Sequence, residues 1–291
     1  MRLLRRELHA LSDLHEAERA LGETRAQQRE RQAGAQRSLL ASLGEALVAA
    51  GEHAAGLDTL ALAVESGWDR DVLRAGRVAA LAAGDTTAAL AMAAGEAVDP
   101  RTDSSVVDSL RSLAESRIGS RAWQARLDEA RGEFVRRVLA SGATRSLARG
   151  TPVRLLDMEG TEHDLRALAD GQVTVVAFWS RFCGPAVQDL PKLNATAARL
   201  ARAGVRVIGI VGESSPSVEL HAFLLDRHVT MPTYFDAWHE AGRAFNQWGT
   251  PYYYVLDPAG RQRFEVVTSA DELLVRAEAL RLSVAPSTAS R

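Results

Sequence analysis

The 291-residue chain has one cysteine, Cys183. A single thiol excludes an internal disulfide framework and any zinc site built from several thiolates, and it leaves the redox compartment unmarked. Lysine is as scarce. Lys192 is the only one, so basic charge is carried by arginine, which reads as a coding bias rather than a phosphate-binding device. The net charge of −2 gives no general attraction to nucleic acid or to anionic membranes. No stretch reaches the roughly 18 apolar residues of a membrane helix. Residues 1–20 are rich in Arg and Glu and lack an apolar h-region and a cleavage site. On that reading the chain is cytoplasmic as written, and an extracytoplasmic origin stays open for a chain cut from behind a signal or anchor. What is present is enough for a core, since 46% of residues are hydrophobic. The length suits two domains of about 100–200 residues.

Residues 1–147 read as an all-α domain, dominated by Ala, Leu, Arg and Glu, the strong helix formers. Leu4, Leu8, Leu11 and Leu14 recur at helical steps and give the first helix an apolar face. Gly51-Glu52 and Gly84-Asp85 each open a stretch of small residues, at a spacing near the tetratricopeptide period of about 34, and Pro100 falls where a repeat would end. This region is weakly similar to degenerate tetratricopeptide repeats. The competing reading is a generic Ala-rich bundle. Two further helices are expected near 104–117 and 121–140, with Trp123, Phe134 and Val138 as core.

After SGATRSLARGTP, a linker, the pattern turns to alternating strands and helices. VRLLD at 153–157, a turn at Glu159-Gly160 and TEHDL read as a hairpin. VTVVAF at 173–178 and VRVIGI at 205–210 are β-branched runs, typical of strands buried on both faces. Helices are expected over 183–203, 217–227, 239–248 and 270–282, with a short strand at PTYFD. YYYVLD and RQRFEVV form a hairpin about Asp257-Pro258-Ala259-Gly260. The tail from 283 to 291 is expected to be disordered.

Within this pattern the run Phe178-Trp179-Ser180-Arg181-Phe182-Cys183-Gly184-Pro185-Ala186-Val187-Gln188-Asp189-Leu190-Pro191 is followed, before YYYVLD, by Gly249-Thr250-Pro251. These residues resemble the active-site segments of thioredoxin-like disulfide reductases of the TlpA and ResA group, over about residues 151–282. The resemblance implies an α/β thioredoxin-like domain over 148–282 behind the all-α domain. It also implies thiol–disulfide oxidoreductase activity on protein or peptide thiols, and no cofactor or metal. Cys183 is the implied nucleophile. Asp189 stands in for the family's glutamate as proton acceptor, with a solvated helix-start carboxylate as the bland reading. Trp179, Gly184, Pro185, Thr250 and a cis Pro251 are implied to form the substrate-binding surface, Trp179 packing beside the sulfur. The buried aspartate of true thioredoxins is Ala177 here, which sides with the extracytoplasmic group.

The chemistry can also be read from the residues. Cys183 falls at a helix start, where unpaired N–H groups and the positive dipole end favour a thiolate, the attacking species. Proline suits the first turn because it has no N–H to lose. Ala186 departs from the family: it occupies the place of the resolving thiol, and a methyl cannot attack a mixed disulfide. Three origins fit: a cysteine replaced to trap the partner, a monothiol form served by an outside thiol such as glutathione, or a degenerate domain that only binds peptides. The rival class is a non-catalytic scaffold, with the fold as a peptide-binding platform and the helical domain contacting a protein partner. Other candidates are weaker. His221 and His228 could share a helix face, His239-Glu240 belongs to no zinc motif, and alternate members of Tyr252–Tyr254 should be core, with Tyr252 on the groove. A peroxiredoxin signature is missing around Ser180, and a hydrolase nucleophile elbow is absent.

Overall fold

The computed structural model describes residues 25–140, 142, 144–146, 152–247, 249–264 and 266–284. The expected first helix through Leu14, residues 285–291 of the expected disordered tail and Trp248 lie outside them, whereas Ser283 and Val284 of that tail are helical. The chain divides into two compact units, Met1–Ser141 and Gly142–Arg291.

The first unit is helical: α1 (Arg25–Ala49), α2 (His53–Glu65), α3 (Arg70–Ala82), α4 (Thr86–Val98), α5 (Ser104–Ile118) and α6 (Ser120–Ala140). α1 packs on α2, and α3 on α4, about turns at Gly51 and Gly84 whose φ values of +85° and +76° favour glycine. Close approach explains the small residues. A Cβ on Gly56 would lie 2.6 Å from the Val48 side chain. The helices are started by side-chain caps, Asp69 accepting from Asp71 and Val72 N–H and Asp85 from Ala88 N–H, each worth about 1 kcal/mol. Trp123, Phe134 and Val138 are buried as expected, and Trp68 packs edge-on to Phe134 with centroids 5.0 Å apart. Repeat arrays and plain bundles are both built of such helix pairs.

The second unit is a mixed eight-stranded sheet with helices. Its strands are β1 (Arg145–Ser146), β2 (Arg154–Leu156), β3 (Glu162–Asp164), β4 (Thr174–Trp179), β5 (Arg206–Val211), β6 (Thr233–Phe235), β7 (Tyr252–Leu256) and β8 (Arg261–Gln262). Their order is β1-β8-β7-β4-β5-β6-β2-β3. β4, β5 and β6 run parallel, and β7 pairs antiparallel with β4 in register Ala177↔Tyr253. The helices are α7 (Leu165–Ala169), α8 (Gly184–Arg202), α9 (Val218–Asp226), α10 (Glu240–Phe245) and α11 (Ala270–Val284). Alternation along the strands puts Val176, Phe178, Ile208, Ile210, Tyr254 and Leu256 in one core layer with Leu165 and Phe245. Their neighbours point to the other face, where α8 packs on β5 and α11 on β7.

Four expectations need correction. Arg145–Ser146 lies inside the stretch expected to be helical to 147, yet it pairs with Arg261–Gln262. α6 ends at Ala140, the limit expected for it, and the units divide at Ser141/Gly142, where the expected boundary was 147/148. The second arm of the 252–267 hairpin is two residues long. Arg263 N–H still donates to Val255 C=O at 2.9 Å, Phe264 is buried with its C=O accepting from the Gln262 amide at 2.7 Å, and Val267 bridges Tyr253. The helix expected over 239–248 is Glu240–Phe245, ended by Asn246 in the left-handed region at φ 53°. Tyr253 and Tyr254 are both buried rather than alternating, since β7 is an interior strand covered on both faces.

Candidate functional site

The site forms where the parallel strands end, the usual place for function in an open α/β sheet. β4 delivers the chain to a three-residue loop, Ser180–Phe182, and α8 begins at once. Cys183 is the N-cap, in extended conformation (φ −100°, ψ 108°), with Gly184 and Pro185 in the first turn. Its N–H donates to Ser180 C=O at 3.1 Å and its C=O accepts from Val187 N–H at 3.0 Å. The side chain is half-buried, and its Sγ donates to the Thr250 carbonyl oxygen at 3.1 Å. The Thr250–Pro251 peptide is cis, and both residues are half-exposed. Gly184 and Pro185 are exposed beside the sulfur. The structure therefore brings together Cys183, Gly184, Pro185, Thr250 and Pro251.

Ala186 is 2% exposed. It sits one helical turn behind Cys183, on the same side of the helix. Asp189, one turn further, is half-buried and accepts a 2.5 Å hydrogen bond from the Tyr253 hydroxyl. Burial is the chief reason that Tyr253 ionises far above the usual tyrosine range; the bond to Asp189 and the charge of that carboxylate add to it. The phenol is therefore a fixed neutral donor, and Asp189 is tied to β7 rather than free in solvent.

Trp179 is not exposed beside the sulfur. It is 1% exposed, at the end of β4, with its ring stacked on Phe223 of α9 at 6.1 Å. A strand-end residue on the α8 face of the sheet is covered by the helices packed there. The exposed aromatic is Phe182, which precedes Cys183 and is 77% exposed. The sequence held a signal for it. A residue between a buried strand and a helix N-cap has no sheet face to pack against, so an aromatic there stays outside. Arg181 was also missed: its guanidinium lies 4.7 Å from the Phe182 ring centroid, and its Nε donates to Glu213 at 2.7 Å.

Among the remaining candidates, His221 lies in α9 but His228 is beyond the helix end at φ 51°, so the two do not share a helix face. His239 is the N-cap of α10. No group of three or more His, Cys, Asp or Glu side chains suited to a metal occurs among the described residues. No described helix is long and apolar enough to cross a membrane.

Comparison with known proteins gives a family for this unit. Residues 150–264 match the model of the AhpC/TSA family, and this part of the chain is an AhpC/TSA thioredoxin-like domain. The match contains both the Cys183 and the Thr250–Pro251 segments. Solved structures similar to the chain include a secreted Mycobacterium tuberculosis disulfide oxidoreductase homologous to E. coli DsbE. It is 22% identical over 44% of this chain and 95% of that one, with a TM-score of 0.37. MTB dsbF is 24% identical over 44% of this chain and 93% of its own, with a TM-score of 0.38. A thiol:disulfide interchange protein from Bacteroides sp. is 17% identical over 50% and 95%, with a TM-score of 0.42. No curated protein matches the chain.

Proposed function

We propose that the AhpC/TSA thioredoxin-like domain of this chain is a monothiol thiol–disulfide oxidoreductase acting on protein or peptide disulfides. The observation that carries this reading is the placement of the half-exposed Cys183 sulfur at the start of α8, 3.1 Å from the Thr250 carbonyl, with a methyl group behind it. The Cys183 thiolate attacks one sulfur of a partner disulfide. A Cys183–partner bond forms, the partner's own S–S bond breaks, and the departing thiolate takes up a proton. Thr250 offers backbone groups to an extended partner segment, in the manner of strand addition, and Gly184 and Pro185 leave the approach open. Asp189 is the proton acceptor in this reading, oriented by Tyr253. With Ala186 unable to resolve the adduct, an outside thiol such as glutathione attacks the partner's sulfur: a glutathione–partner disulfide forms, the Cys183–partner bond breaks, and Cys183 leaves in its starting state. Exchange between sulfurs requires no metal or cofactor. The helical unit serves as a second surface for a protein partner.

Intact-mass measurement after mixing with a disulfide-bonded peptide tests the reading. One adduct per chain, removed by glutathione and missing in Cys183→Ser, is the expected result. No adduct, with the peptide still bound non-covalently, would instead make the domain a binding platform.

A further inference from the structure

The loop that carries Cys183 contains a charged clamp with no part in holding the core. The Arg181 Nε donates to Glu213 Oε1 at 2.7 Å, and the two side chains are 20% and 14% exposed. Glu213 lies just beyond β5, on the neighbouring loop. The two loops are already fastened by backbone, Gly212 N–H donating to the Trp179 carbonyl at 3.0 Å. They are also tightly fitted, since a Cβ on Gly212 would come within 3.2 Å of Ser180 Cβ. The backbone beside the sulfur has its own supports: Phe182 N–H donates to Ser180 Oγ at 3.2 Å and Cys183 N–H to Ser180 C=O at 3.1 Å. The ion pair is therefore not needed to hold the loop. What it does fix is the guanidinium, which lies over the Phe182 ring at 4.7 Å. That ring, 77% exposed, buries little surface against its own chain. An exposed aromatic adjacent to a nucleophile, stacked on a cation that is itself pinned, is preorganised for contact with something outside.

We propose that Arg181, held by Glu213, is a positioning residue that fixes the Phe182 ring as an aromatic wall beside Cys183, and that the polypeptide flanking a partner's disulfide packs against this wall. The proposal rests on the exchange reading and adds a source of selectivity. A partner with side chains next to its cysteine gains the contact with Phe182, and a small disulfide does not. Arg181 acts on selectivity only through the ring. Lysine cannot replace it fully, because an ammonium lacks the planar face that stacks on the ring and meets a carboxylate side-on.

The test compares two disulfides with the same departing thiol. One is bis(2-hydroxyethyl) disulfide. The other is an extended peptide with one cysteine between leucine and valine, carried as its mixed disulfide with 2-mercaptoethanol. In each case Cys183 attacks, a new Cys183 disulfide forms, and the rate is read from the appearance of adduct. With the peptide, the adduct that counts retains the peptide and 2-mercaptoethanol departs. Phe182→Ala and Arg181→Met are expected to slow the peptide reaction about tenfold while the small disulfide changes by less than about twofold. Arg181→Lys should fall between. Glu213→Gln should reproduce part of the Arg181→Met loss, and the double variant should be no slower than Arg181→Met alone, because the two residues act as a unit. Phe182→Ala removes an exposed ring, so its effect is free of misfolding. Equal slowing of both disulfides, or unchanged peptide rates, would overturn the proposal while leaving exchange intact. A wild-type chain that reacts with neither disulfide would overturn both.

Discussion

The Tyr253 phenol donates to the Asp189 carboxylate across 2.5 Å from a ring fully shielded from solvent. A hydrogen bond to a charged group contributes roughly 1.5–3 kcal/mol, and the half-buried state of Asp189 places this one at the low end. Tyr253→Phe keeps the packing and removes the donor. It should lower stability by about 1.5 kcal/mol, read as a lower urea midpoint at unchanged m-value. An unchanged midpoint would mean that water replaces the phenol without loss. At this scale the sequence was legible where neighbours in the chain are also neighbours in space. Cys183, Gly184, Pro185 and Ala186 form one turn, and Thr250–Pro251 one peptide, so local pattern located them. The pairs Arg181–Glu213 and Tyr253–Asp189 join residues 32 and 64 positions apart, and no local pattern encodes such distances. The burial of Trp179 was not legible for a related reason. Its position at the end of a strand says how far along the chain it stands, whereas the face it takes is set by which helix covers that side of the sheet.

Elements with strong periodicity followed the sequence closely. The buried β-branched runs became β4 and β5, and α5 and α6 start and end near their expected limits. β1 was not legible because a two-residue strand is too short to show alternation, and β8 was read too long. β1 exists through its pairing with β8, a tertiary effect. Junctions between elements rely on buried charge. Asp99 follows α4, has a side chain with no exposure, and accepts from Trp68 Nε1 at 2.8 Å and from the Arg101 guanidinium at 2.7 Å. Burial alone would raise its pKa. The hydrogen bonds and charge of Arg101, helped by Trp68, outweigh burial and hold it below the ordinary value of 3.8. A carboxylate depressed on folding stabilises the fold above its unfolded pKa, and this contribution is lost as pH falls through the folded one. Asp99→Asn should therefore melt below wild type at neutral pH, and the gap should narrow as the pH is lowered from about 5 towards 3. A gap that stays constant or widens on acidification would contradict the assignment.

On the scale of the whole molecule, composition divided the chain correctly into an Ala- and Leu-rich helical part and a β-branched part, because each unit closes its own core. The dividing residue was placed late, since β1 carries no compositional mark. The central claim is that this chain supplies one sulfur where a dithiol cycle needs two, and it is tested most directly by intact mass after mixing with excess disulfide-bonded peptide and no added thiol. Wild type should gain the mass of one peptide half and hold it. Ala186→Cys places a second thiol one turn along α8, on the Cys183 side of the helix. It should release both halves of the peptide as thiols and lose two hydrogens as its own disulfide forms. A wild-type chain that releases both halves unaided, or an Ala186→Cys chain that keeps its adduct as wild type does, would contradict the account.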